Sequence, residues 1–418
     1  MGSPAPLRSD QLDLGLLSRE AEAGNPTAQY GLGMLLFAGV QMPGDRVKAV
    51  EWWEKAVAGG SRDAEFMLGQ CFQFGTGKPQ DLSQAAAWYE RAARHGHQQA
   101  RINIASMLLA GSGVAKDEPA AFLWLKAAAE DGSEGAAAIL GRLYEDGVGT
   151  AADLAQSVHW FAMAAEKGNS EAQYSLALLY LSGKGVPRDE TRAFDWLTKA
   201  ARQGLTLGEF ELARCYLLGR GVAVDYSRSY DWLARAAAKG HAPADYYLGL
   251  MHSRGLGVVA DMERFSHHMS KAAEAGLLDA QYMLGAMLYQ GSPLPRDLKQ
   301  SIHWLVEAAK QGAAQAQFLA GLIYLNDLQD FGAAFHWNRE AARQNNAEAQ
   351  FNLAHQFAGG LGVARDASQA LHWYQSCHKL VKEDPNRAEL AEKAAFAIEQ
   401  LRQQAGAEGP GSAPPVPR

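Results

Sequence analysis

Tryptophan recurs along this chain at a nearly constant interval. Nine of its ten tryptophans lie 36 residues apart, except for one interval of 72 residues and one of 33. These nine are Trp52, Trp88, Trp124, Trp160, Trp196, Trp232, Trp304, Trp337 and Trp373, and His268 occupies the position that the long interval skips. Such a period is typical of stacked supersecondary units, each of which buries its apolar face only against its neighbours. The chain is therefore predicted to be a repeat protein.

Each predicted repeat opens with a small residue and continues as a first helix, which we call helix A. The opening residues are Ala28, Ala64, Ala100, Ala136, Ala172, Gly208, Ala244, Ala280, Ala316 and Ala349. Apolar residues four and eight positions later, such as Leu68 and Phe72, form one stripe of a helix. Helix A is predicted to end at a Gly-x-Gly turn such as Gly75 to Gly77, because glycine tolerates the positive φ of a helix C-terminus.

The second helix of each repeat, helix B, is predicted to begin at an aspartate and to carry the tryptophan. The aspartate stands 17 positions after the opening residue in nine repeats, where its carboxylate can accept free amides of the helix N-terminus. A glutamine three residues later completes a capping-box pattern at Gln84, Gln156, Gln300 and Gln369. Alanine pairs after the tryptophan predict close packing around a buried indole. A glycine, or Asn345 in the ninth repeat, then predicts a left-handed helix end.

This order of residues resembles the Sel1-like repeat family, which is related to the tetratricopeptide repeats. The segment Glu171 to Gly204, EAQYSLALLYLSGKGVPRDETRAFDWLTKAARQG, carries the pattern. The resemblance implies an all-α fold, a right-handed α-solenoid superhelix of about ten Sel1-like helix-turn-helix repeats with terminal capping helices. It also implies a non-enzymatic scaffold or adaptor that binds a partner protein or peptide on the concave face of the solenoid.

The predicted organisation has five parts. They are a flexible N-terminus at 1–9, an N-terminal capping half-repeat at 10–27, ten repeats at 28–383, a C-terminal capping helix at 384–405 and a disordered tail at 406–418. Caps are expected because the terminal repeats of a solenoid would otherwise expose apolar faces. The tail is predicted to be disordered because it is rich in glycine, proline and alanine.

Composition limits the partners and the compartment. The net charge of −7, with both signs interspersed, argues against nucleic-acid binding, which requires a basic stripe. Cys71, Cys215 and Cys377 lack the spacing of a disulfide framework or a zinc site, and a reducing compartment is expected. No stretch approaches 18 uninterrupted apolar residues, so membrane insertion is not expected. The predicted location is cytoplasmic, and an exported envelope or exopolysaccharide assembly factor, whose signal peptide was removed, is an alternative.

Two sets of helix A residues are predicted to face the partner, by analogy with tetratricopeptide geometry. The first is an aromatic row two positions after the opening residue, Tyr30, Phe66, Tyr174, Phe210, Tyr246, Tyr282, Phe318 and Phe351. The second varies between repeats and comprises Gln70, Phe74, Arg142, Glu145, Asp146, Arg214, Arg254 and Gln290. The aromatic row has two interpretations, as anchors for a peptide or as rings packed between adjacent A helices. The variable set suits a peptide with both charges, and a solvated groove is its alternative interpretation.

No catalytic triad, nucleophile elbow, carboxylate pair or dinucleotide fingerprint remains once the periodic residues are set aside, so the chain is predicted to be no enzyme and to need no cofactor. Repeat seven departs from the pattern, with His252 at a helix A aromatic, His268 at the tryptophan and His267 beside it. A small-molecule or metal-binding protein or a hydrolase centred there is the alternative function. Ring-for-ring replacement that preserves packing is the other interpretation of these histidines. Four further histidines are expected on the exposed side of helix B, His159, His303, His336 and His372.

Overall fold

The computed structural model describes residues 14–40 and 43–407, and helices dominate this part of the chain. The α-helices are α1 (Leu14–Glu22), α2 (Pro26–Ala38), α3 (Arg46–Ala58), α4 (Arg62–Phe74), α5 (Leu82–Arg94), α6 (Gln98–Ala110), α7 (Glu118–Glu130), α8 (Glu134–Asp146), α9 (Leu154–Glu166), α10 (Ser170–Ser182), α11 (Glu190–Arg202), α12 (Thr206–Leu218), α13 (Tyr226–Ala238), α14 (Ala242–Arg254), α15 (Met262–Glu274), α16 (Leu278–Gln290), α17 (Leu298–Lys310), α18 (Ala314–Asn326), α19 (Phe331–Arg343), α20 (Ala347–Gly359), α21 (Ala367–Val381) and α22 (Ala388–Ala407). A short 3₁₀ helix, Pro385–Arg387, precedes α22.

Parts of the predicted termini fall outside this description. The segment 1–9 does so entirely, as do residues 10–13 of the half-repeat and 408–418 of the tail. Helix α1 lies in the predicted N-terminal half-repeat, and α22 covers most of the predicted C-terminal cap. Helix α22 ends at Ala407, two residues into the segment predicted to be disordered.

The chain forms two compact units, residues 1–224 and 225–418, whose boundary falls between α12 and α13. Within each unit every helix packs chiefly against the helix before it and the helix after it in the sequence. The even-numbered helices α2 to α20 are the predicted A helices, and the odd-numbered helices α3 to α21 are the predicted B helices. The predicted all-α solenoid of helix pairs is confirmed.

Aspartates cap the B helices as predicted. Asp81, for example, accepts hydrogen bonds at 3.0 Å from the amides of Ser83 and Gln84. Repeat nine is also capped, by Asp330, whose Oδ1 accepts from the amide of Ala333 at 2.9 Å. Asp330 stands three residues earlier than the period predicts because the preceding turn, Asn326 to Phe331, is three residues shorter.

The reciprocal half of the predicted capping box is wrong. The amide of Asp81 donates to the carbonyl of Phe72 at the end of α4, over 2.9 Å, and so has no need of the glutamine. The same contact recurs in other repeats, as between Asp153 and Tyr144. These bonds tie the start of helix B to the end of helix A. They explain why a glutamine at the third position is dispensable in most repeats.

The two glycines of each Gly-x-Gly turn have different tasks. Gly75 ends α4 with a φ of 68°, and its amide donates to the carbonyl of Cys71. Gly77 lies against the previous repeat, since a Cβ there would come within 2.5 Å of the carbonyl oxygen of Arg46 at the start of α3. Equivalent main-chain contacts occur at Gly113, Gly149, Gly185, Gly221, Gly257 and Gly362. The second glycine therefore sets how closely consecutive repeats approach.

The core of each repeat is centred on the residue after the framework tryptophan. This residue is buried in every repeat, as Trp53, Tyr89, Leu125, Phe161, Leu197, Leu233, Met269, Leu305, Asn338 and Tyr374. The predicted burial of the framework tryptophans is wrong for most of them, because only Trp160, 6% exposed, is buried and the others are half-buried.

The large-against-small packing that the sequence predicts involves this following residue instead. A Cβ at Gly69 of α4 would lie 2.7 Å from the ring of Tyr89, so the glycine leaves room for the ring. Gly141 and Phe161 have the same relation in repeat four. Half-buried tryptophans cover the outer edge of this core, and Lys199 lies 3.7 Å from the ring centroid of Trp196.

Candidate functional site

The predicted aromatic row packs between helices and keeps part of each ring near the surface. Phe66 lies 5.7 Å from Tyr89 and stacks on His97, the N-cap of α6, at 4.3 Å between ring centroids. Phe351 lies 5.2 Å from the ring of Tyr374. Most of the row is half-buried, while Phe210 is buried and Tyr282 is exposed. These contacts favour the packing interpretation, and Phe66 also lines a groove between α4 and α6.

Tyr174 and Tyr246 of this row keep their hydroxyl protons near neutral pH. The pKa of Tyr174 is raised by burial and, to a lesser extent, by the carboxylate of Glu211. The pKa of Tyr246 is raised by burial and by Asp279. Each tyrosine is therefore an uncharged hydrogen-bonding group beside a carboxylate of the next A helix.

Several variable residues line three grooves, all in the unit 1–224. The first, which we call the amide groove, lies between α4 and α6, has a volume of about 520 Å³, and is lined by Phe66, Gln70 and Phe74 among others. The second lies between α8 and α10, measures about 240 Å³ and includes Arg142. The third, the charged groove, lies beside α8, α10 and α12, measures about 390 Å³ and includes Glu145 and Arg214. The structure thus brings these six predicted residues to spaces between A helices.

The remaining predicted residues lie elsewhere on the A helices. Asp146 is exposed at the end of α8, Arg254 at the end of α14 and Gln290 at the end of α16. Tyr30 packs against the core around Trp53. In the unit 225–418, Tyr246, Phe318 and Phe351 contact the apolar clusters of their own repeats.

Charges of both signs line the charged groove. Arg214 Nη1 donates to Glu211 Oε1 over 2.7 Å, and the guanidinium carbon lies 5.8 Å from the ring centroid of Phe210. Glu145, Lys184 and Arg220 complete the charged lining. This groove is suited to a partner that carries both an acidic and a basic group.

The amide groove is lined instead by neutral polar side chains. Beneath it the buried hydroxyl of Tyr89 donates to Gln73 Oε1 over 2.5 Å. Burial raises the pKa of Tyr89 to about 12, against the opposing effect of a hydrogen bond with the side chain of Asn103. Gln99 Nε2 in turn donates to Asn103 Oδ1 over 3.1 Å. A chain of hydrogen bonds therefore runs from α6 to α4 and orients the side-chain amides of Gln73, Gln99 and Asn103.

A set of buried glutamines, which the repeat pattern did not lead us to predict, links consecutive repeats. Gln173, one position after the opening residue of repeat five, donates from Nε2 to the carbonyl of Ala165 over 3.0 Å. Its Oε1 accepts from Gln203 Nε2 at 2.8 Å, and Gln203 also bonds the carbonyl of Gly168 at 2.9 Å. We call this arrangement the glutamine ladder. It joins the end of one helix B to the next repeat through polar groups that are satisfied within the core.

Repeats eight and nine contain the same ladder. Gln311 donates to Gln281 at 2.8 Å, and Gln344 donates to Gln317 at 2.9 Å. The periodic recurrence of these glutamines is visible in the sequence, because its period is the same as that of the tryptophans. The period alone does not predict that these glutamines are buried, because glutamine is usually an exposed residue.

In repeat seven a carboxylate replaces the ladder glutamine. Asp245 is 3% exposed, and its Oδ1 lies 2.9 Å from His268 Nδ1 and 3.2 Å from Lys271 Nζ. The ring of His268 stacks on that of His252 with 5.7 Å between centroids, and His252 Nε2 lies 3.3 Å from the hydroxyl of Tyr230. The pKa of His252 is lowered by burial first and by His268 second. His268 thus pairs with the buried carboxylate of Asp245, and the rings of His252 and His268 stack on each other.

The alternative hypothesis of a metal site in repeat seven is not supported by a complete set of ligands among the described residues. Across residues 14–40 and 43–407, no group of three or more histidine, cysteine, aspartate or glutamate side chains is placed to hold a metal ion. Cys71, Cys215 and Cys377 are free and buried, and burial raises the pKa of each thiol to about 11. These thiols are therefore protonated and poor nucleophiles near neutral pH. His159, His303, His336 and His372 are exposed on helix B, as predicted.

Periodic helix pairs, a ladder between repeats and grooves between A helices define an α-solenoid repeat protein. Ten segments match the family model described as Sel1 repeat, residues 26–61, 62–97, 98–133, 135–169, 170–205, 206–241, 242–277, 278–312, 314–346 and 347–376. The chain belongs to the Sel1 repeat family, whose repeats generally mediate protein–protein interaction. Among its described helices, none combines the length and the apolar character needed to cross a membrane.

Two solved structures are similar over most of the chain. One is c5321, a protective antigen of uropathogenic Escherichia coli strains with an SLR fold, which is 28% identical, with a TM-score of 0.73 and coverage of 98% of this chain and 99% of that one. The other is a Sel1 repeat protein from Oxalobacter formigenes, which is 26% identical, with a TM-score of 0.51 and coverage of 85% and 90%. No curated protein matches the chain.

Proposed function

We propose that this protein is a non-enzymatic scaffold that binds a partner protein or peptide on the surface formed by the A helices of residues 1–224. The observation that carries the proposal is the set of three grooves between successive A helices of this unit. Grooves between helices are common sites for peptide ligands. The family supports a role in protein–protein interaction.

The distribution of variable residues indicates which side chains would recognise the partner. Residues that recur with the period serve as helix caps, core side chains and ladder groups. The position six residues after the opening residue varies instead, as Gln70, Arg142 and Arg214, and each of these lines a groove. Side chains that the fold does not require are the ones available for recognition.

Phe74 provides the clearest apolar contact point on this surface. It ends α4 and is 67% exposed, beside neutral polar groups of the amide groove. Arg142 and Glu145, both exposed on α8, add one charge of each sign. An aromatic anchor with a surrounding polar rim is the usual composition of an interface hot spot.

Site-directed capture tests this proposal. The full chain and a Phe74→Ala, Arg142→Ala, Glu145→Ala variant are each used to isolate partners from extract of the native cell. A matched control carries Leu123→Ala, Lys126→Ala and Glu166→Ala, which remove one exposed apolar side chain, one cation and one carboxylate from B helices. We expect the wild type and the control to retain a partner that the first variant loses by about tenfold or more, since hot-spot truncation costs about 2 kcal/mol.

Circular dichroism establishes that both variants keep the helix content of the wild type. Equal retention by the two variants would move the binding surface away from the A helices and contradict the proposal. Loss by both variants would also contradict it, because the B helices would then contribute as much.

A further inference from the structure

Neutral side chains that both donate and accept hydrogen bonds distinguish the amide groove. Gln70 and Gln73 line it from α4, and Gln99, Asn103 and Ser106 line it from α6. None of the described residues that line it is ionisable, whereas the charged groove contains carboxylates and cations. A charged ligand group in the amide groove would lose water without gaining an opposite charge. The groove is therefore matched to an uncharged ligand.

The hydrogen bonds beneath the groove leave defined groups for a ligand. The oxygens of Gln73 and Asn103 already accept from Tyr89 and Gln99. Gln73 Nε2 donates to no other described residue, and the side-chain amide of Gln70 is unpaired within the described part of the chain. The groove thus presents the donors of Gln73, both the donors and the acceptor of Gln70, and the side-chain oxygen and second N–H of Gln99. The buried hydroxyl of Tyr89 sets the orientation of Gln73.

We infer that the amide groove binds the main chain of an extended peptide segment without charged side chains, with an apolar side chain of that segment placed against Phe74. This inference rests on the proposed function and specifies the partner of one groove. A side-chain amide has the same donor and acceptor groups as a peptide unit, so it pairs with main chain irrespective of sequence. An extended segment offers these groups, whereas a helix has already used them internally.

The row of polar side chains on α6 limits the length of segment that can bind. Gln99, Asn103 and Ser106 follow one another at intervals of four and three residues on α6, which together correspond to about 10.5 Å of helix rise. An extended strand rises about 3.4 Å per residue. The groove therefore accommodates about three to four residues of the partner.

Peptide selection followed by chemical modification tests the inference. A displayed library of random seven-residue peptides is selected on the full chain, and the affinity of an enriched peptide is measured by fluorescence anisotropy. We expect enriched peptides to share an uncharged central segment with one apolar side chain. N-methylation of alternate peptide nitrogens should weaken binding about tenfold or more when it blocks the bonded edge of the strand, and less than about twofold when it blocks the other edge.

Matched protein variants locate the contact. Gln70→Leu combined with Gln99→Leu should weaken the enriched peptide about tenfold, because both amides are lost with little change of shape. Gln315→Leu is the control, since Gln315 is exposed on α18 at the position that corresponds to Gln99 on α6. This control should bind the peptide with unchanged affinity.

Other outcomes separate this inference from the proposed function. Enriched peptides that tolerate both patterns of N-methylation, yet lose affinity with Arg142→Ala and Glu145→Ala, would overturn the main-chain inference and leave the scaffold function standing. Enrichment of peptides with charged centres at the amide groove would also overturn it. A selection that enriches no peptide would overturn both the inference and the peptide-binding form of the proposed function.

Discussion

Repeats five and seven share one helical frame but fill the same buried positions with different chemistry. Both B helices begin at an aspartate cap, and the residue after the tryptophan position, Leu197 or Met269, is fully buried in each. In repeat five the buried polar residue is Gln173, which accepts from Gln203. In repeat seven it is Asp245, and no glutamine stands at the position of Gln203.

The lysines at one equivalent position contact different groups in the two repeats, which shows how these differences are coupled. Lys199 of repeat five lies over the ring of Trp196, whereas Lys271 of repeat seven lies 3.2 Å from the carboxylate of Asp245. His268, at the tryptophan position, bonds the same carboxylate. A buried carboxylate requires nearby donors and positive charge, whereas a buried amide needs only another amide. The histidine and the aspartate of repeat seven are therefore best understood as one change.

The largest predicted effect is one that the two repeats should share. Leu197→Ala and Met269→Ala should each lower the local free energy of unfolding by about 3 kcal/mol, because each leaves a cavity in a closed core. Hydrogen exchange, followed by mass spectrometry on peptides from each repeat, measures this free energy. Asp195→Ala and His267→Ala change exposed residues at equivalent positions and should have almost no effect. A loss of unfolding free energy below about 1 kcal/mol would contradict the assignment of these two residues to the core.

A smaller effect should separate the two repeats. Lys271→Met should cost about 2 kcal/mol, because it withdraws one of the two donors that compensate the buried carboxylate of Asp245. Lys199→Met should cost less than about 1 kcal/mol, since it removes only a surface contact with Trp196. The same exchange measurement compares them. Equal costs in the two repeats would contradict the assignment of Lys271 to the carboxylate.

The smallest effect concerns pH. Since burial lowers the pKa of His252 in the folded chain, the unfolded chain binds a proton first as the pH falls below about 6.5, and stability is lost with falling pH. His252→Phe should reduce the loss of local stability of repeat seven as the pH falls from about 7.5 to about 5.5. Tyr180 occupies the same position in repeat five, which serves as the internal control. An unchanged pH dependence in the variant would exclude His252 as its source.

The sequence predicts the helical frame well because its determinants are local. Aspartate caps, glycine helix ends and the left-handed Asn345 follow from groups within a few residues of each other, and the structure has them. The period does not predict Asp330, because a three-residue deletion shifts the cap in repeat nine. Local backbone chemistry, once recognised in one repeat, carries over to the others.

The core and the ladder were harder to predict because they depend on contacts between helices. The size of tryptophan makes it the expected core residue of helix B. The orientation of helix B instead directs the following residue toward helix A, so Tyr89 rather than Trp88 fills the space beside Gly69. Likewise, the burial of Gln173 depends on Gln203 at the far end of its own repeat and on the carbonyl of Ala165 in the previous repeat. The binding role of the sixteen residues assigned to the partner surface stays a prediction, because recognition depends on the chemistry of the partner as well as on this chain.

The close contact at the second turn glycine has a consequence for how such a chain diversifies. Gly77 and its equivalents place the main chain of one repeat against the main chain of the previous one, so the pitch of the stack is set by atoms common to all residues. Variable side chains that line the grooves, such as Gln70, Arg142 and Arg214, can therefore change without altering this contact between repeats. A point substitution can therefore change the ligand preference of one groove while the other grooves keep their geometry. Each groove can then evolve independently of the others.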